Sequence, residues 1–246
     1  MPETRWTAAN PRYDTDGGGP GHPIRAGVPA VIRVLAVADE VDQALYGPRL
    51  NDLRPDLVLA CGDLPFEYLE YLRAEAGVPL LYVRGNHDPS SSGTNVSAYL
   101  PAEYFARSPR RVIGCVSVED RWEDECGLRI AGLGGSVRYN NGDNQYTQTE
   151  MRGRVRRLTR RARMRRWRDG TSIDIMVTHS PPLNCGDETD GPHRGFSAFH
   201  RLVERIEPKL MLHGHIHPYG KPRPDRTIGS TRVVNVVPYR LLEIEP

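Results

Sequence analysis

Five apolar runs of the sequence are each followed closely by side chains that can bind a metal ion or a phosphate group. These side chains are Asp39, Asp63, the run Asn86-His87-Asp88, His179, and the pair His215 and His217. In open α/β sheets, ligands bind beyond the carboxyl ends of the strands, so one cleft could collect all five groups. A single Asp or His after a strand is usually a cap or a structural residue, but five in succession favour a functional site.

The ligand types in these groups suit borderline divalent metals. Carboxylate and amide oxygens together with imidazole nitrogens bind Mn²⁺, Fe²⁺ or Zn²⁺, and these groups offer no thiolate. A carboxylate can also bridge two metals about 3.5–4 Å apart, which is the spacing of two-metal phosphoryl-transfer sites. The sequence therefore predicts one or two divalent metal ions and the hydrolysis of a phosphate ester by activated water.

The hydrophobic pattern predicts the elements that must position these groups. Apolar runs of strand length predict strands at 30–37, 57–61, 79–83, 112–118, 128–133, 173–177, 209–212, 231–237 and 239–244. Helical patterns cover 66–76, 149–168 and about 196–206. Strands and helices alternate early in the chain, and strands cluster late. This order predicts an α/β fold in which two sheets pack together with helices outside.

The composition argues against several broad classes of protein. The chain has 246 residues, of which 38% are hydrophobic, and this is enough for one sizeable core. A formal net charge of +2 argues against a globally basic nucleic-acid clamp and against a general attraction to membranes. The four cysteines form no Cys-x-x-Cys pair, so a zinc ribbon or a redox motif is not indicated.

The N-terminal segment 1–27 differs in character from the rest of the chain. It contains a run of glycines and has no hydrophobic period, which predicts a flexible leader before a domain at 28–246. It lacks the apolar region of a signal peptide, and no stretch of the sequence approaches the roughly 20 apolar residues of a membrane helix. We therefore expect a soluble, cytoplasmic protein without a membrane partner.

The ordered motifs resemble those of the calcineurin-like metallophosphoesterases over about residues 30–244. The matching motifs are Gly62-Asp63, Gly85-Asn86-His87-Asp88, Thr178-His179 and Gly214-His215-Ile216-His217. The resemblance implies a two-sheet β-sandwich flanked by helices. It also implies hydrolysis of a phosphomonoester or phosphodiester by a metal-activated hydroxide, and a small phosphate ester is the favoured substrate.

The same resemblance implies a role for each matching residue. Asp63 would bridge both metals, and one of the two sites would be completed by Asn86, His179 and His215. Asp39 and His217 would belong to the other site. His87 would contact the phosphate and donate a proton to the leaving group, and Asp88 would orient the His87 ring.

The sequence departs from the family pattern at the first motif. Where the family has Asp-x-His, this chain reads Asp39-Glu40-Val41-Asp42, as in a bacterial branch that resembles the family. Valine cannot bind a metal, so three hypotheses stay open: a weakened two-metal site, a site compensated by Glu40, Asp42 or His193, and a site with one metal or no activity. On a strand, Asp39 and Val41 would share a face, so Glu40 could substitute only if the chain turns immediately after Asp39.

Other segments carry less specific signals. Arg194 suits a bidentate phosphate contact, and Asn140 lies in a turn-rich segment that could line the substrate pocket. Ten arginines lie between Arg152 and Arg168. They are predicted to form the solvated face of an amphipathic helix. The alternative, a nucleic-acid surface, is not favoured because Trp167 is the one aromatic residue among them.

Three functions follow from these patterns. The leading one is a metal-dependent phosphoric ester hydrolase. The first alternative is a nuclease acting on RNA or DNA, which the arginine-rich helix would favour if it flanks the cleft. The second is a catalytically degraded module that binds a phosphorylated ligand.

Overall fold

The structure is a computed structural model of the chain, and it describes residues 31–89, 112–220 and 223–245. The predicted leader at 1–27 lies outside the described residues. Within them the chain forms four layers, with two large β-sheets in the middle and helices on both outer faces.

The strands and helices of the described residues are numbered here in chain order. The strands are β1 (Ile32–Val37), β2 (Leu57–Ala60), β3 (Leu80–Tyr82), β4 (Val116–Ser117), β5 (Trp122–Glu125), β6 (Leu128–Leu133), β7 (Ser136–Val137), β8 (Gln145–Tyr146), β9 (Ile175–Thr178), β10 (Leu210–His213), β11 (Arg226–Ile228), β12 (Thr231–Asn235) and β13 (Tyr239–Ile244). The helices are α1 (Pro48–Leu53), α2 (Phe66–Ala76), α3 (Gln148–Asp169) and α4 (Ala198–Ile206), and a 3₁₀ turn covers Gln43–Tyr46.

Both large sheets are mixed, and their central strands are parallel. Sheet one has the order β13-β1-β2-β3-β4, in which β13 is antiparallel to β1 and the other pairs are parallel. Sheet two has the order β11-β12-β10-β9-β6-β5, in which the outer strands β11 and β5 are antiparallel to their neighbours. Because parallel strands end at the same edge of a sheet, each sheet brings the residues that follow its central strands to one edge.

The central strands are buried on both faces, and this is why their sequences read as continuous apolar runs. In β1, Ile32, Val34 and Ala36 face the core between the two sheets. Leu35 and Val37 alternate with them and pack under the helices outside sheet one. A strand period of two thus divides one apolar run between two cores.

The outer faces of the sheets are covered by helices. Helices α1 and α2 cover sheet one, and α3 and α4 cover sheet two. Helix α3 begins with a capping box formed by Thr147 and Glu150, and its apolar side consists of the buried Met151, Val155 and Leu158 with the half-buried Ala162. Among the described helices, none combines the length and the apolar character needed to cross a bilayer.

The predicted sandwich of two sheets with flanking helices is confirmed, and α2 has the predicted bounds. The predicted strand at 112–118 is reduced to the two residues of β4, and the one at 231–237 ends at Asn235. Strand β5 was not predicted, because three of its four residues are acidic. It forms through antiparallel pairing with β6, which is a tertiary effect that local sequence does not carry.

The prediction that all ten arginines of α3 face solvent is wrong for Arg154. Arg154 is only 4% exposed, and it lies on the side of the helix that faces the core. Its guanidinium forms ion pairs with Glu119 and Asp120 and donates through Nη1 to Gly134 O at 3.0 Å. The same group stacks over the Tyr146 ring at 4.3 Å. Arg154 therefore serves as a buried structural ion between α3 and the loops that follow β4 and β6.

We expect Arg154→Ala to lower the free energy of unfolding by about 3 kcal/mol, because it strands the Glu119 carboxylate without its partner. This loss of stability is at the lower end of the range for breaking a buried ion pair, because the second partner, Asp120, stays in contact with water. Arg157→Ala, on the exposed side of the same helix, is the matched control and should change stability by no more than about 0.5 kcal/mol. Urea unfolding followed by circular dichroism measures both, and equal losses in the two variants would contradict the structural role.

Candidate metal centre

The ends of two strands from each sheet bring four side chains together. Asp39 and Asp63 follow β1 and β2 of sheet one, and His179 and His215 follow β9 and β10 of sheet two. Each side chain offers one ligand atom, and these atoms all lie within 4.8 Å of one another. His179 is fully buried and His215 is 6% exposed, so the cluster lies where the two sheets meet and is largely shielded from water.

Tight turns after the strands aim these side chains. Asp39, Asp63 and His215 have positive φ angles of 60°, 57° and 67°, a region that residues other than glycine adopt rarely. Hydrogen bonds hold the turns, since Asp39 N donates to Gly62 O at 3.1 Å and His215 N donates to Asp39 Oδ2 at 2.8 Å. Strained backbone of this kind persists where the surrounding structure fixes it, and it clusters at functional sites.

Two glycines of the sequence motifs are required by the close approach of neighbouring strand ends. A Cβ atom on Gly85 would overlap the Asp63 carboxylate, and one on Gly214 would overlap the Asp39 carboxylate. The motif glycines are thus explained by packing against the acidic side chains.

Two histidines of the cluster each have one ring nitrogen bonded to a backbone carbonyl. His179 Nδ1 lies 2.8 Å from Cys61 O, and His215 Nε2 lies 2.8 Å from Pro192 O. Histidines that bind metals usually donate their other ring N–H to a carbonyl or a carboxylate, which fixes the tautomer and the ring orientation. This arrangement leaves Nε2 of His179 and Nδ1 of His215 to bind a cation, so both residues fit a metal centre.

His217 lies at the edge of this cluster and follows the same rule. Its Nδ1 lies 2.7 Å from Glu40 Oε1, and its Nε2 lies 3.9 Å from Asp39 Oδ1. Glu40 reaches His217 because the chain turns directly after β1, where Glu40 N donates to Ala38 O at 2.6 Å. The immediate turn that the compensation hypothesis requires of Glu40 is therefore present.

Asn86 adds an amide oxygen at the same point. Its Oδ1 lies 3.0 Å from His179 Nε2, and Asp63 Oδ2 lies 3.2 Å from that nitrogen. Asn86 Nδ2 donates to the Tyr139 hydroxyl at 3.2 Å, which turns the amide so that its oxygen faces the cluster. An amide oxygen, a carboxylate and an imidazole thus converge on one position.

The burial of so many ionisable groups creates an electrostatic imbalance. Burial, and then the charge of Asp63, raises the pKa of Asp39 to about 7, and the same two causes raise the pKa of Asp88 to about 7. Burial opposes the charged form of His179, yet the charge of Asp63 raises the pKa of His179 to about 10. Burial and the charge of His179 lower the pKa of His215 to about 3. A divalent cation would supply positive charge that these buried carboxyl groups lack.

The loop at 84–88 is held by hydrogen bonds from several directions. Asp88 Oδ2 accepts from Asp63 N at 2.9 Å and from Gly85 N at 2.8 Å. His87 N donates to Asp63 Oδ1 at 2.8 Å, and the His87 side chain is exposed. Asn144 Nδ2 donates to both Gly85 O and Asp88 O, at 3.0 and 2.9 Å. The Asp88 carboxylate therefore fixes the loop backbone, and its proposed contact with the His87 ring stays a prediction.

Two residues that contact the 84–88 loop, Tyr139 and Asn144, were not predicted from the sequence, which pointed to Asn140 instead. Asn140, the predicted pocket residue, is exposed, and its Oδ1 accepts from Gly142 N at 2.7 Å within a turn. Its neighbours Tyr139 and Asn144 make the contacts with the 84–88 loop. The only signal for them in the sequence is their place in a turn-rich segment, because no metal-ligand spacing points to a Tyr or an Asn.

The loop after β9 forms a second acidic group beside the first. Glu188, Asp190 and His193 have ligand atoms within 4.8 Å of one another, and His193 Nδ1 lies 2.7 Å from Asp190 Oδ2. The His193 and His215 ring centroids are 5.3 Å apart, so His193 adjoins the main cluster. Arg194, the predicted phosphate contact, is exposed on this loop.

A family model for calcineurin-like phosphoesterases matches residues 31–219 of the chain, which is well over half of its length. The chain belongs to the calcineurin-like phosphoesterase family. Metal-dependent hydrolysis of phosphate esters is the general activity of this family, and the buried Asp/His cluster could bind the metal.

Solved structures share the fold of this chain. One crystal structure is 14% identical, with a TM-score of 0.56, and the match covers 87% of this chain and 99% of that one. The crystal structure of TT1561 of Thermus thermophilus is 19% identical, with a TM-score of 0.55 and coverage of 83% and 88%. At these identities the likeness shows the fold alone. The search of curated proteins found no match.

Two residues of the unusual first motif have structural roles in this chain. Val41, in the position of the family histidine, is half-buried and packs against the apolar cluster under the helices of sheet one. Asp42 Oδ1 accepts from Ala44 N at 2.9 Å and caps the 3₁₀ turn. Of the residues in this motif that could compensate, Glu40 is the one whose carboxylate contacts another predicted ligand, His217.

We expect Gly85→Ala to weaken Mn²⁺ binding by about 10–100-fold, because the added Cβ displaces the Asp63 carboxylate. The matched control is Gly153→Ala on α3, where the nearest atom to a new Cβ is the end of a flexible arginine at 3.6 Å. Isothermal titration calorimetry measures the affinity, and circular dichroism verifies that both variants are folded. Unchanged Mn²⁺ affinity in folded Gly85→Ala would show that the metal binds elsewhere.

Proposed function

We propose that this protein hydrolyses a phosphomonoester or phosphodiester with one or two divalent cations bound at the Asp/His cluster. The proposal rests on how the ring nitrogens of three histidines are hydrogen-bonded. His179, His215 and His217 each have one ring nitrogen bonded to a protein oxygen, and for His179 and His217 the other nitrogen faces an aspartate. This is the arrangement of histidines that bind metals.

The residues divide into two sets around Asp63. One cation would be held by Asp63 together with Asn86, His179 and His215. A second would be held by Asp63 with Asp39 and His217. This donor set suits Mn²⁺, Fe²⁺ or Zn²⁺.

Divalent cations in such a site activate water and neutralise the phosphoryl oxygens. The chain's own contribution to the reaction is a proton donor on a rigid loop. The exposed His87 ring is placed by the bond from its backbone N to Asp63, and the Asp88 carboxylate and the Asn144 amide fix the loop on either side. His87 would donate a proton to the leaving-group oxygen of the ester. A small phosphate ester is the substrate class that we propose.

Glu40 has a positioning role in this proposal. Its carboxylate accepts the Nδ1–H of His217, which leaves Nε2 on the side of Asp39. The second cation would then have one ligand fewer than in the family pattern, because Val41 replaces a histidine. The hydrogen bond from His217 to Glu40 would offset part of this loss by holding the His217 ring in place. Asp42 is occupied as a cap, and His193 is paired with Asp190.

Hydrolysis of bis(p-nitrophenyl) phosphate and p-nitrophenyl phosphate, with added Mn²⁺, Zn²⁺ or Fe²⁺, tests the activity. We expect His87→Ala to lower kcat by about 10²–10⁴-fold with metal content unchanged, because the proton donor is lost while the ligands stay. The matched control is His200→Ala on α4, whose Nε2 bonds Leu183 O; this variant should keep its kcat. A metal-loaded protein without turnover on either ester would favour the binding module instead.

Metal binding by Glu40 variants shows whether Glu40 orients His217 or is itself a metal ligand. If Glu40 orients His217, Glu40→Gln keeps an acceptor for the ring N–H and should retain the second metal, whereas Glu40→Ala should weaken that metal by about 10–100-fold. The control Asp42→Asn preserves the cap and should have no effect. Titration calorimetry and metal analysis by mass spectrometry give both numbers. Equal losses in Glu40→Gln and Glu40→Ala would mean that Glu40 is itself a ligand.

A further inference from the structure

Helix α3 extends beyond the core that it covers. Its buried apolar contacts end at Leu158, and Ala162 is half-buried against the same cluster. Beyond that point Met164 and Trp167 are 66% and 88% exposed, and most of the remaining turns lie in solvent. In the C-terminal third of the helix, Arg165 still pairs with Asp124 and stacks over the Trp122 ring, but the side that carries Met164 and Trp167 is not covered by the described residues.

Positive charge on α3 is concentrated and largely unpaired. The helix has no acidic residue between Glu150 and Asp169, and ten arginines lie between 152 and 168. All of these arginines are exposed except Arg154 and Arg165. Among the described residues, only these two form ion pairs with carboxylates. Because the whole chain has a net charge of +2, the rest of it is acidic on balance, and the basic face is a local feature.

The exposed arginines form a row along the helix. Arg152, Arg156, Arg160 and Arg163 succeed one another at intervals of four, four and three, which places neighbours about 5–6 Å apart on one side. Trp167 lies four residues further on the same side. Guanidinium groups in this arrangement can each form a bidentate contact with a phosphate.

We propose that this exposed face of α3 binds a nucleic acid through its phosphate backbone, without reading bases. The face offers many phosphate donors and a single aromatic ring, which favours backbone contact over stacking along a single strand. A membrane surface is the weaker fit, because a helix that lies in the bilayer interface needs a broad apolar face, and this one has only Met164 and Trp167. The surface acts independently of the metal centre and goes beyond the proposed hydrolysis.

The test is fluorescence anisotropy with a fluorescein-labelled DNA duplex of about 24 base pairs, titrated between about 50 and 200 mM salt. In the full chain, the triple change Arg156→Glu, Arg160→Glu and Arg163→Glu should weaken binding by at least about tenfold. Loss of three phosphate contacts should also reduce the slope of log K against log salt by about 2.7. Electrophoresis after each titration establishes that the probe is intact.

The matched control carries the same change of charge on the opposite side of the molecule. Arg49, Arg54 and Arg73 are exposed residues in or next to α1 and α2, outside sheet one. Their triple change to Glu should leave duplex affinity within about twofold, because charges more than a Debye length away are screened. Equal losses in the two triple variants would show that overall charge, and not the α3 face, attracts the duplex, and would overturn the proposal.

Two further outcomes would also overturn the proposal. One is duplex binding that survives the α3 changes. The other is loss of binding to vesicles of phosphatidylglycerol and phosphatidylcholine in the α3 variant while duplex binding is unchanged, which would assign the face to lipid. Hydrolysis of bis(p-nitrophenyl) phosphate is measured on the same preparations. If no preparation has turnover and the α3 variant alone loses the duplex, the proposed hydrolysis fails and the nucleic-acid surface stands.

Discussion

The contact between Asp63 and His179 is the interaction on which the site depends. Asp63 follows β2 of sheet one and His179 follows β9 of sheet two, so the 3.2 Å approach of Oδ2 to Nε2 joins the two sheets at their edges. The other groups of Asp63 are also engaged, since Oδ1 accepts from His87 N and its backbone N donates to Asp88. One residue therefore links the two sheets at this edge and holds the backbone of the proposed proton donor, His87.

Placing acidic side chains at this junction has an electrostatic consequence. Burial raises the pKa of both Asp39 and Asp88 to about 7, and the nearby charge of Asp63 adds to the effect. Buried carboxylates are destabilising to a folded chain unless positive charge balances them. The backbone hydrogen bonds to the Asp39 and Asp88 carboxylates relieve part of this cost, and bound cations would relieve more. The same groups that make the site able to bind metal thus make it dependent on charge balance.

Helix α3 shows how one residue type can serve two purposes. Arg154 faces the core and forms ion pairs with Glu119 and Asp120. Glu119 also accepts hydrogen bonds from Arg84 N and Gly134 N, so this buried ion pair supports the start of the 84–88 loop. The arginines on the opposite side meet solvent and have no carboxylate partner among the described residues. Helical geometry alone separates these roles, since a step of three or four residues keeps a side chain on its face. A count of arginines in the sequence cannot make this distinction.

The sequence by itself determined the buried central strands of both sheets and the order of the motifs at their ends, because apolar runs and the polar residues that follow them are local signals. From the order of strands and helices it also predicted two packed sheets, but it did not predict strand β5, which forms by pairing with β6. It also predicted Asp39, Asp63, His179 and His215 as metal ligands, and in the structure one ligand atom from each of them lies within 4.8 Å of the others. Only the tertiary structure decided what surrounds them. The Pro192 carbonyl on His215, the Tyr139 hydroxyl on Asn86 and the Asn144 amide on the 84–88 loop come from segments distant in sequence. The turn that aims Glu40 at His217 and the burial of Arg154 depend likewise on neighbouring elements, and no local pattern records which partner a side chain will meet.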